Sequence, residues 1–382
     1  MSTIPLHEDD IGGPAQPLLT IRGLQKHFPL KKDPFGRGGG VVRAVDGVDF
    51  EVMKGETLGV VGESGCGKST TARLLMQLID PTAGEVVFDG RLVGGRELPL
   101  KEFRRQVQMV FQDSYASLNP RLTIEDSVAF GPQVHGVPKK ESVARARDLL
   151  ARVGLAPQRF AERYPHELSG GQRQRVNIAR ALALQPRMVI LDEAVSALDK
   201  SVEAQVINLL LDLKAEFGLT YVFISHDLNV VRYMSDRVMV MYLGQVAEIG
   251  PSDALYDDPA HPYTRALLSS MPSMDPDNRT EVAALAGDPP NPIDPPSGCR
   301  FHPRCAMAAP VCSQRVPARV VAGAQQAVSC LMYEAGSGHP NAVATTVRPE
   351  LATLTVRPEL VEGLRQAQPE RVGGAQPERT GH

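Results

Sequence analysis

The sequence predicts an α/β fold built on a largely parallel β-sheet, and two observations lead to that prediction. Strand-like apolar runs and helical patterns alternate along the chain, as between residues 171 and 224, where helix, strand, helix and strand follow one another. Parallel strands require such crossover helices. In addition, a glycine-rich segment at residues 62–70 (GESGCGKST) lies between an apolar run at 57–61 and a helical pattern at 69–79. This order of strand, glycine-rich turn and helix is typical of α/β proteins that bind phosphate groups.

Length and composition limit the classes of protein to consider. At 382 residues the chain can bury one large core and has room for a smaller second unit. Its formal net charge of -3 gives no sign of a nucleic-acid-binding surface or of a basic membrane patch. The sequence has no apolar run of about 18 residues, the length that a membrane span needs, and residues 1–17 lack the pattern of a signal peptide. We therefore expect a cytosolic protein whose five cysteines stay reduced.

Composition and periodicity divide the chain into four regions. A helical pattern interrupts the alternation of strands and helices around residues 121–165, and prolines become frequent beyond residue 250. Past residue 336 short polar repeats such as VRPEL and AQPER recur, and such repeats cannot bury enough apolar area to order the chain. The predicted regions are a disordered lead-in at 1–17, an α/β domain at 18–260 with a helical insertion at about 121–165, a small cysteine-containing C-terminal region at 261–335, and a disordered repeat tail at 336–382.

The first strands of the α/β domain surround a predicted loop. Strand signals begin at Leu18, residues 31–40 (KKDPFGRGGG) predict a flexible loop, and residues 41–51 return to strand-like alternation. Phe28, just before that loop, is a candidate to stack on a base. An ordinary core or hairpin aromatic fits the same pattern.

A hairpin and a buried strand follow the glycine-rich segment. Residues 85–93 predict a β-hairpin that turns at Asp89 and Gly90, because Asp-Gly is a strong signal for a two-residue hairpin loop. Residues 107–111 (VQMVF) predict a buried strand that ends at Gln112.

The glycine-rich segment itself fits the phosphate-binding pattern GxxxxGK(S/T). Glycines permit a sharp turn whose backbone N–H groups point at phosphate oxygens, and the following helix adds the positive end of its dipole. Lys68 would reach the β- and γ-phosphates of a nucleotide, and Ser69 would ligate Mg²⁺. A glycine-rich turn without a ligand is the alternative, and the flanking strand and helix disfavour it. The predicted nucleotide-binding residues here are Gly62, Glu63, Ser64, Gly65, Cys66, Gly67, Lys68, Ser69 and Thr70.

Candidate catalytic residues follow two later strands. Asp192, at the end of the apolar strand predicted at 188–191, can hold the Mg²⁺ shell, and Glu193 can polarise a water for in-line attack on a γ-phosphate. Alone, such a run is more often only a strand that leaves the core, but here it follows a phosphate-binding loop in an α/β pattern. His226 follows the strand predicted at 221–224 and could contact a γ-phosphate at the sheet edge, although a lone histidine is more often a surface or core residue.

Residues 168–172 (LSGGQ), which lead into a helical pattern, form the second strong signal. Ser169 at a helix N-cap, with Gly170 and Gly171 beside it, predicts a further anion-binding helix start, so that a nucleotide could be clamped from two sides. A simple capped helix would explain Ser169 but would not require both glycines and Gln172.

Together these elements resemble the ATP-binding subunit of an ATP-binding cassette (ABC) transporter. The resemblance covers about residues 18–255, with the family's motifs in order. They are the phosphate loop at 62–69, the Q-loop residue Gln112, the signature LSGGQ at 168–172, the Walker B acids Asp192 and Glu193, the D-loop at 196–199 and the switch histidine His226. The resemblance implies catalytic roles for Glu193, His226, Gln112 and Lys68, a Mg²⁺ shell of Ser69, Gln112 and Asp192, and adenine stacking by Phe28.

The same resemblance implies a dimer and a narrower branch. ATP would be sandwiched between Lys68 and Ser69 of one subunit and Ser169 and Gly171 of the other. Three segments resemble the oligopeptide/dipeptide branch of bacterial peptide importers, and within it the F-type ATPase subunit. They are the sequence around Cys66, residues 111–123 (FQDSYASLNPRLT) and residues 298–305 (GCRFHPRC). Ser114 departs from that branch, which usually has proline there, and so could change the stiffness of this loop.

This branch implies a peripheral subunit on the cytoplasmic face of the membrane that hydrolyses ATP to drive peptide uptake. The expected partners are a second ABC ATPase subunit, different or identical, two transmembrane permease subunits and an extracytoplasmic peptide-binding protein, with no nucleic acid. One alternative is the same motor for glutathione or nickel. Another is a soluble ABC ATPase acting on nucleic acid or ribosomes, which would carry a second cassette, a coiled-coil insertion or a basic patch. A regulatory module without turnover is disfavoured by Glu193 and His226.

Four of the five cysteines, Cys299, Cys305, Cys312 and Cys330, lie in one short segment among prolines and glycines. A small unit with little apolar content usually needs a metal to hold it together. Zinc is the general expectation for four cysteines, although the spacing lacks the paired CxxC of zinc ribbons, and thiolates also suit iron–sulfur clusters. The resemblance to the peptide-importer branch favours a 4Fe-4S cluster over zinc, and unligated thiols are the third alternative.

Overall fold

The structure, a computed structural model, describes residues 10, 13, 15–30, 39–271, 287–323 and 325–342. Most of the predicted lead-in at 1–17, most of the predicted loop at 31–40 and residues 343–382 of the predicted tail lie outside these ranges. Those three predictions therefore stay untested.

The strands of the described residues run along most of the chain. They are β1 (Pro17–Leu30), β2 (Gly40–Met53), β3 (Thr57–Val61), β4 (Ala83–Phe88), β5 (Arg91–Leu92), β6 (Val107–Val110), β7 (Met188–Asp192), β8 (Thr220–Ile224), β9 (Arg237–Tyr242), β10 (Gln245–Pro251), β11 (Val320–Val321) and β12 (Ala327–Val328).

The α-helices of the same residues fall mainly between these strands. They are α1 (Lys68–Leu75), α2 (Leu100–Gln106), α3 (Ile124–Val134), α4 (Lys139–Arg152), α5 (Pro157–Phe160), α6 (Gly170–Leu182), α7 (Lys200–Phe217), α8 (Leu228–Met234), α9 (Ser252–Asp257), α10 (Pro262–Ser269) and α11 (Pro310–Gln314). Short 3₁₀ helices lie at Pro165–Glu167 and His302–Arg304.

The larger sheet has the order β11-β12-β10-β9-β3-β8-β7-β6, and its strands from β9 to β6 are parallel. Every residue of β3, β7 and β8 is buried, as expected of parallel strands that helices or another sheet cover on both faces. The predicted α/β fold with a largely parallel sheet is confirmed.

The two faces of this sheet belong to two hydrophobic clusters, because successive side chains of a strand point to opposite faces. In β7, Met188 and Ile190 pack into the cluster shared with the first strands of the chain, whereas Val189 and Leu191 pack into the cluster shared with α3, α4 and α6. The helices predicted as an insertion thus share one face of the sheet with the core helices.

The smaller sheet is antiparallel, in the order β2-β1-β4-β5. The predicted turn between β4 and β5 lies at Asp89 and Gly90, whose φ angles are 49° and 76°. Two consecutive residues with positive φ are what a type I′ hairpin turn requires.

The cysteine-containing region contributes to the larger sheet. Strand β12 pairs with β10, with Ala327 opposite Ile249 and Val328 opposite Glu248. The chain beyond the parallel core therefore returns to its sheet edge and extends it.

Helix α1 is shorter than the sequence predicts. It ends at Leu75, not near residue 79, because Gln77 takes a left-handed φ of 52°. Within the described ranges, no helix combines the length and apolarity that crossing a bilayer needs.

Candidate nucleotide-binding site

The phosphate-binding loop connects β3 to α1 through backbone conformations that favour glycine. Gly62, Gly65 and Gly67 have φ angles of 148°, 80° and 107°. A Cβ on Gly62 would lie 2.2 Å from the carbonyl oxygen of Met241, and one on Gly67 would lie 2.3 Å from that of Ala44. These two glycines are therefore required by packing as well as by backbone angle.

Lys68 is the first residue of α1, and its side chain folds over the loop that precedes it. The Lys68 ammonium donates to the carbonyl oxygens of Gly62 (2.6 Å) and Glu63 (3.1 Å), and the side chain is buried. Its charge is thus held at the mouth of the loop, where the sequence predicts the β- and γ-phosphates. Cys66 lies beneath it, with the sulfur 3.9 Å from the Lys68 nitrogen, and burial raises the pKa of this thiol.

Ser69 and Asp192 come together as the sequence predicts. The Ser69 hydroxyl donates to Oδ1 of Asp192 at 3.0 Å. Burial raises the pKa of Asp192, and the neighbouring Glu193 carboxylate adds to that rise, while Ser69, Arg73 and Lys68 oppose it. A hydroxyl and a buried carboxylate side by side are hard oxygen ligands of the kind that Mg²⁺ prefers. The residues present therefore fit a Mg²⁺ ion.

Glu193 lies directly after β7, with two candidate catalytic residues beside it. Gln112 donates its amide to Oε2 of Glu193 at 2.7 Å, and Nδ1 of His226 lies 3.7 Å from the same oxygen. Glu193 has a φ of 48°, a left-handed conformation that is uncommon for residues other than glycine, and its N–H donates to Ile224 on β8. The structure thus brings Gln112, Glu193 and His226 to one edge of the sheet.

The signature segment begins α6 with a capping box. The Ser169 hydroxyl accepts from the N–H of Gln172, and the Gln172 side chain accepts from the N–H of Ser169 (3.0 Å). A Cβ on Gly171 would lie 2.5 Å from Cγ1 of Val202 in α7, so this glycine permits close packing of two helix starts. Sequence reasoning assigned the cap to Ser169 but held that a capped helix would not require Gln172 or the glycines, whereas the capping box uses Gln172 and the packing against Val202 requires Gly171.

Phe28 lies near the end of β1, opposite Val42 of β2, and its side chain is 38% exposed. The Lys26 ammonium stands 5.1 Å from the ring centroid. An exposed aromatic ring on a hairpin is compatible with the predicted stacking on adenine. That role is not tested by these contacts.

Glu63 has partners that the sequence analysis missed. Arg304 donates two hydrogen bonds to the Glu63 carboxylate, at 2.7 and 3.0 Å. The hydroxyl of Tyr263 accepts from the backbone N–H of Glu63 at 2.9 Å. Both partners belong to the C-terminal part of the chain, with Arg304 241 residues away from Glu63. No local pattern could have revealed contacts at such a separation.

The four C-terminal cysteines line one small cavity, with Phe301, Leu331, Met332 and three histidines around them. Burial, and next to it the neighbouring thiols, raises the pKa of Cys299 to about 11 and that of Cys330 to about 12. All four are free thiols. Among the described residues, no three or more His, Cys, Asp or Glu side chains are arranged to hold one metal ion.

The chain is similar to known families and proteins. Residues 45–196 match the family model described as ABC transporter, and residues 247–312 match the one described as oligopeptide/dipeptide transporter, C-terminal region. The chain is 49% identical to y4tS of Sinorhizobium fredii, a protein named "probable peptide ABC transporter ATP-binding protein", over 87% of this chain and 96% of the relative. It is 50% identical to the oligopeptide transport ATP-binding protein AppF of Bacillus subtilis, covering 83% and 97%.

Solved structures of ABC proteins are also similar to this chain. CbiO1 of Clostridium perfringens, part of the transporter complex CbiONQ, aligns with a TM-score of 0.55 at 27% identity, covering 63% of this chain and 91% of that one. The dimeric ATP-binding cassette MJ0796, in a post-hydrolysis state bound to ADP and Pi, aligns with a TM-score of 0.53 at 30% identity, covering 61% and 98%.

Proposed function

This chain belongs to the ABC transporter family of ATP-binding proteins, and from that membership we propose that it is the ATP-hydrolysing subunit of a bacterial importer of dipeptides or oligopeptides. Its relatives from Sinorhizobium fredii and Bacillus subtilis carry names of peptide transport proteins. The observation that carries the proposal is the convergence of Lys68, Ser69, Asp192, Glu193 and Gln112 on one edge of the sheet.

Each of these residues has a task in ATP hydrolysis. The loop N–H groups and Lys68 bind the phosphates, and Ser69 and Asp192 would hold a Mg²⁺ ion, with Gln112 as a further ligand. When bound, Mg²⁺ supplies positive charge to the β- and γ-phosphate oxygens. Glu193 accepts the proton of the attacking water, and Gln112 fixes the position of the Glu193 carboxylate. His226 lies beside Glu193, where it can contact the γ-phosphate. Phe28 is our candidate for stacking on the adenine.

A second ABC subunit completes the site. The signature helix α6 presents Ser169 and Gly171 to a nucleotide held by another cassette, as expected from the dimeric state of MJ0796. The resemblance to the F-type subunit favours a different cassette as the partner, and a homodimer is the alternative.

The loop after Gln112 connects the hydrolytic site to the signature helix. The carbonyl oxygen of Ser114 accepts from the amide of Asn177 on α6 (3.0 Å), whose own amide oxygen accepts from the Ser117 hydroxyl (3.1 Å). We place the contact with two transmembrane permease subunits on this loop, which puts the chain on the cytoplasmic face of the membrane as a peripheral subunit. An extracytoplasmic peptide-binding protein would deliver the cargo.

Activity of the assembled importer tests this function. The chain is co-purified from its host, its membrane and cassette partners are identified, and the complex is reconstituted in vesicles with its binding protein. We expect low ATPase activity from the chain alone, a marked rise on assembly, and a further rise with dipeptides or oligopeptides. Stimulation by glutathione or nickel alone would assign the other cargo. Equal activity of the isolated chain and the complex would contradict the heterodimer, and co-purification with ribosomes in place of permeases would contradict transport.

We also propose that Cys299, Cys305, Cys312 and Cys330 hold a 4Fe-4S cluster with a structural role. The proposal is supported by the resemblance to the peptide-importer branch and by the four thiols around one cavity, although among the described residues these thiols are not arranged to hold one metal ion. Burial raises the pKa of Cys299 and Cys330, so both are protonated thiols at neutral pH and would have to lose their protons to ligate a cluster. Anaerobic purification should give brown protein with about four iron and four sulfide per chain. Colourless protein with about one zinc would replace the cluster by zinc, and protein without metal would leave four unligated thiols.

A further inference from the structure

We propose that the C-terminal region positions the phosphate-binding loop through Glu63, with Arg304 and Tyr263 as the positioning residues. This inference rests on the proposed function, because it concerns how tightly the loop binds the phosphates of ATP. It gives the region matched by the peptide-transporter C-terminal model a task at the nucleotide site.

The Arg304 contact has the geometry of a strong ion pair. Its two terminal nitrogens donate to the two carboxylate oxygens of Glu63, at 2.7 and 3.0 Å, and only 6% of the Arg304 side chain is exposed. One of these nitrogens also donates to the hydroxyl of Tyr242 at 3.4 Å. A forked pair of this kind fixes orientation as well as distance, and lysine cannot reproduce it.

Tyr263 holds the backbone of the same residue. Its hydroxyl accepts from the Glu63 N–H at 2.9 Å, and its ring packs against Tyr242 and Phe301, with centroids 4.6 and 5.3 Å away. Tyr263 is fully buried in α10, so the acceptor cannot swing away. The side chain and the backbone of Glu63 are therefore fixed by two separate elements of the C-terminal region.

The turn that carries Arg304 is bracketed by two cysteines. The N–H of His302 donates to the carbonyl of Cys299 at 3.0 Å, and the N–H of Cys305 donates to that of His302 at 3.3 Å. Arg304 lies between these bonds in the 3₁₀ helix His302–Arg304. The position of the Arg304 backbone is therefore tied to the positions of both cysteines.

Electrostatics explain why this contact matters for ATP. Glu63 belongs to a loop that must receive a polyanion, and its unpaired carboxylate would repel the phosphates. Arg304 neutralises this charge and holds the carboxylate toward the C-terminal region. Loss of Arg304 should therefore weaken nucleotide binding, and simultaneous removal of the Glu63 charge should restore most of it.

A double-mutant cycle in the full chain tests the proposal, with the Kd for Mg-ATP measured on a fluorescent analogue. We expect Arg304→Ala to raise Kd on the order of 10-fold in the wild-type background, but by less than about 3-fold in the Glu63→Gln background. The KM for ATP should follow Kd, whereas kcat at saturating ATP should hardly change. An equal fold-rise in Kd on Arg304→Ala in the two backgrounds would overturn the electrostatic role.

Two further variants guard against loss of folding. Tyr263→Phe keeps the aromatic packing but removes the acceptor for the Glu63 N–H, and we expect Kd to rise about 5-fold, the effect of one hydrogen bond. Arg315→Ala is the matched control, because Arg315 pairs with Glu334 in the same region and away from the loop. A rise in Kd with Arg315→Ala as large as that with Arg304→Ala would overturn the proposal. The Kd for Mg-ATP is measured without turnover. An inactive complex would therefore contradict the proposed function, whereas the comparison of Kd values among the variants would still be valid.

Discussion

At the scale of single residues, the site depends on conformations and protonation states that the surrounding protein enforces. Glu193 takes a left-handed backbone conformation, which costs a residue with a side chain about 1–2 kcal/mol. Its N–H bond to Ile224 ties it to the neighbouring strand and offsets part of that cost. Such a conformation places the carboxylate beside Gln112 and His226, and an acidic pair after a strand does not by itself predict it.

His261 is the residue from which we expect the clearest dependence on pH. It is fully buried at the N-cap of α10, where Nδ1 accepts from the N–H of Tyr263 at 3.0 Å, and burial lowers its pKa to about 4. In the unfolded chain the ordinary pKa is about 6.5. Between these pH values the unfolded state binds a proton at His261 that the native state does not bind. The free energy of unfolding should therefore fall by up to about 3 kcal/mol as the pH drops from about 6.5 to about 4.

The variant His261→Asn isolates this effect, since asparagine keeps an N-cap acceptor but does not titrate. Urea unfolding of both proteins at several pH values between 7 and 4 measures it. We expect the stability difference between wild type and variant to move in favour of the variant as the pH falls. Parallel pH curves for the two proteins would show that His261 does not contribute.

At the scale of elements, the parts with a strong local pattern were predictable. The apolar runs that became β3, β7 and β8, the Asp-Gly turn between β4 and β5, and the serine cap of α6 each follow from a few adjacent residues. The order of strands in the sheet, by contrast, is set by contacts between distant segments. The short strands β11 and β12 illustrate this, because two residues carry no periodicity and become strands only by pairing at the edge of β10.

Buried ion pairs were also beyond the reach of sequence reasoning. Asp89 looks like an ordinary turn residue, but it is fully buried and pairs with Lys54 and Arg187, at 3.1 and 2.8 Å. The same holds for Arg304 and Glu63, which only the folded chain brings together. In each case the motif residue was recognised, while the partner that fixes it lies far away in the sequence.

At the scale of the whole molecule, our proposal gives one chain two incomplete halves of a nucleotide site. The phosphate loop with Asp192 and Glu193 forms one half, and the start of α6 at Ser169 forms the other. Our proposal joins each half to its complement on a second cassette, which makes hydrolysis a property of the assembly.

The measurement that tests the central proposal most directly is ATP hydrolysis by the assembled complex carrying Glu193→Gln. This change removes the carboxylate that accepts the proton of water, but it leaves Lys68 and Ser69 in place and keeps an oxygen for the Gln112 amide. We expect nucleotide binding within about 3-fold of wild type, with turnover from this site reduced on the order of 10²–10⁴-fold. Hydrolysis by the variant at near the wild-type rate would contradict the account.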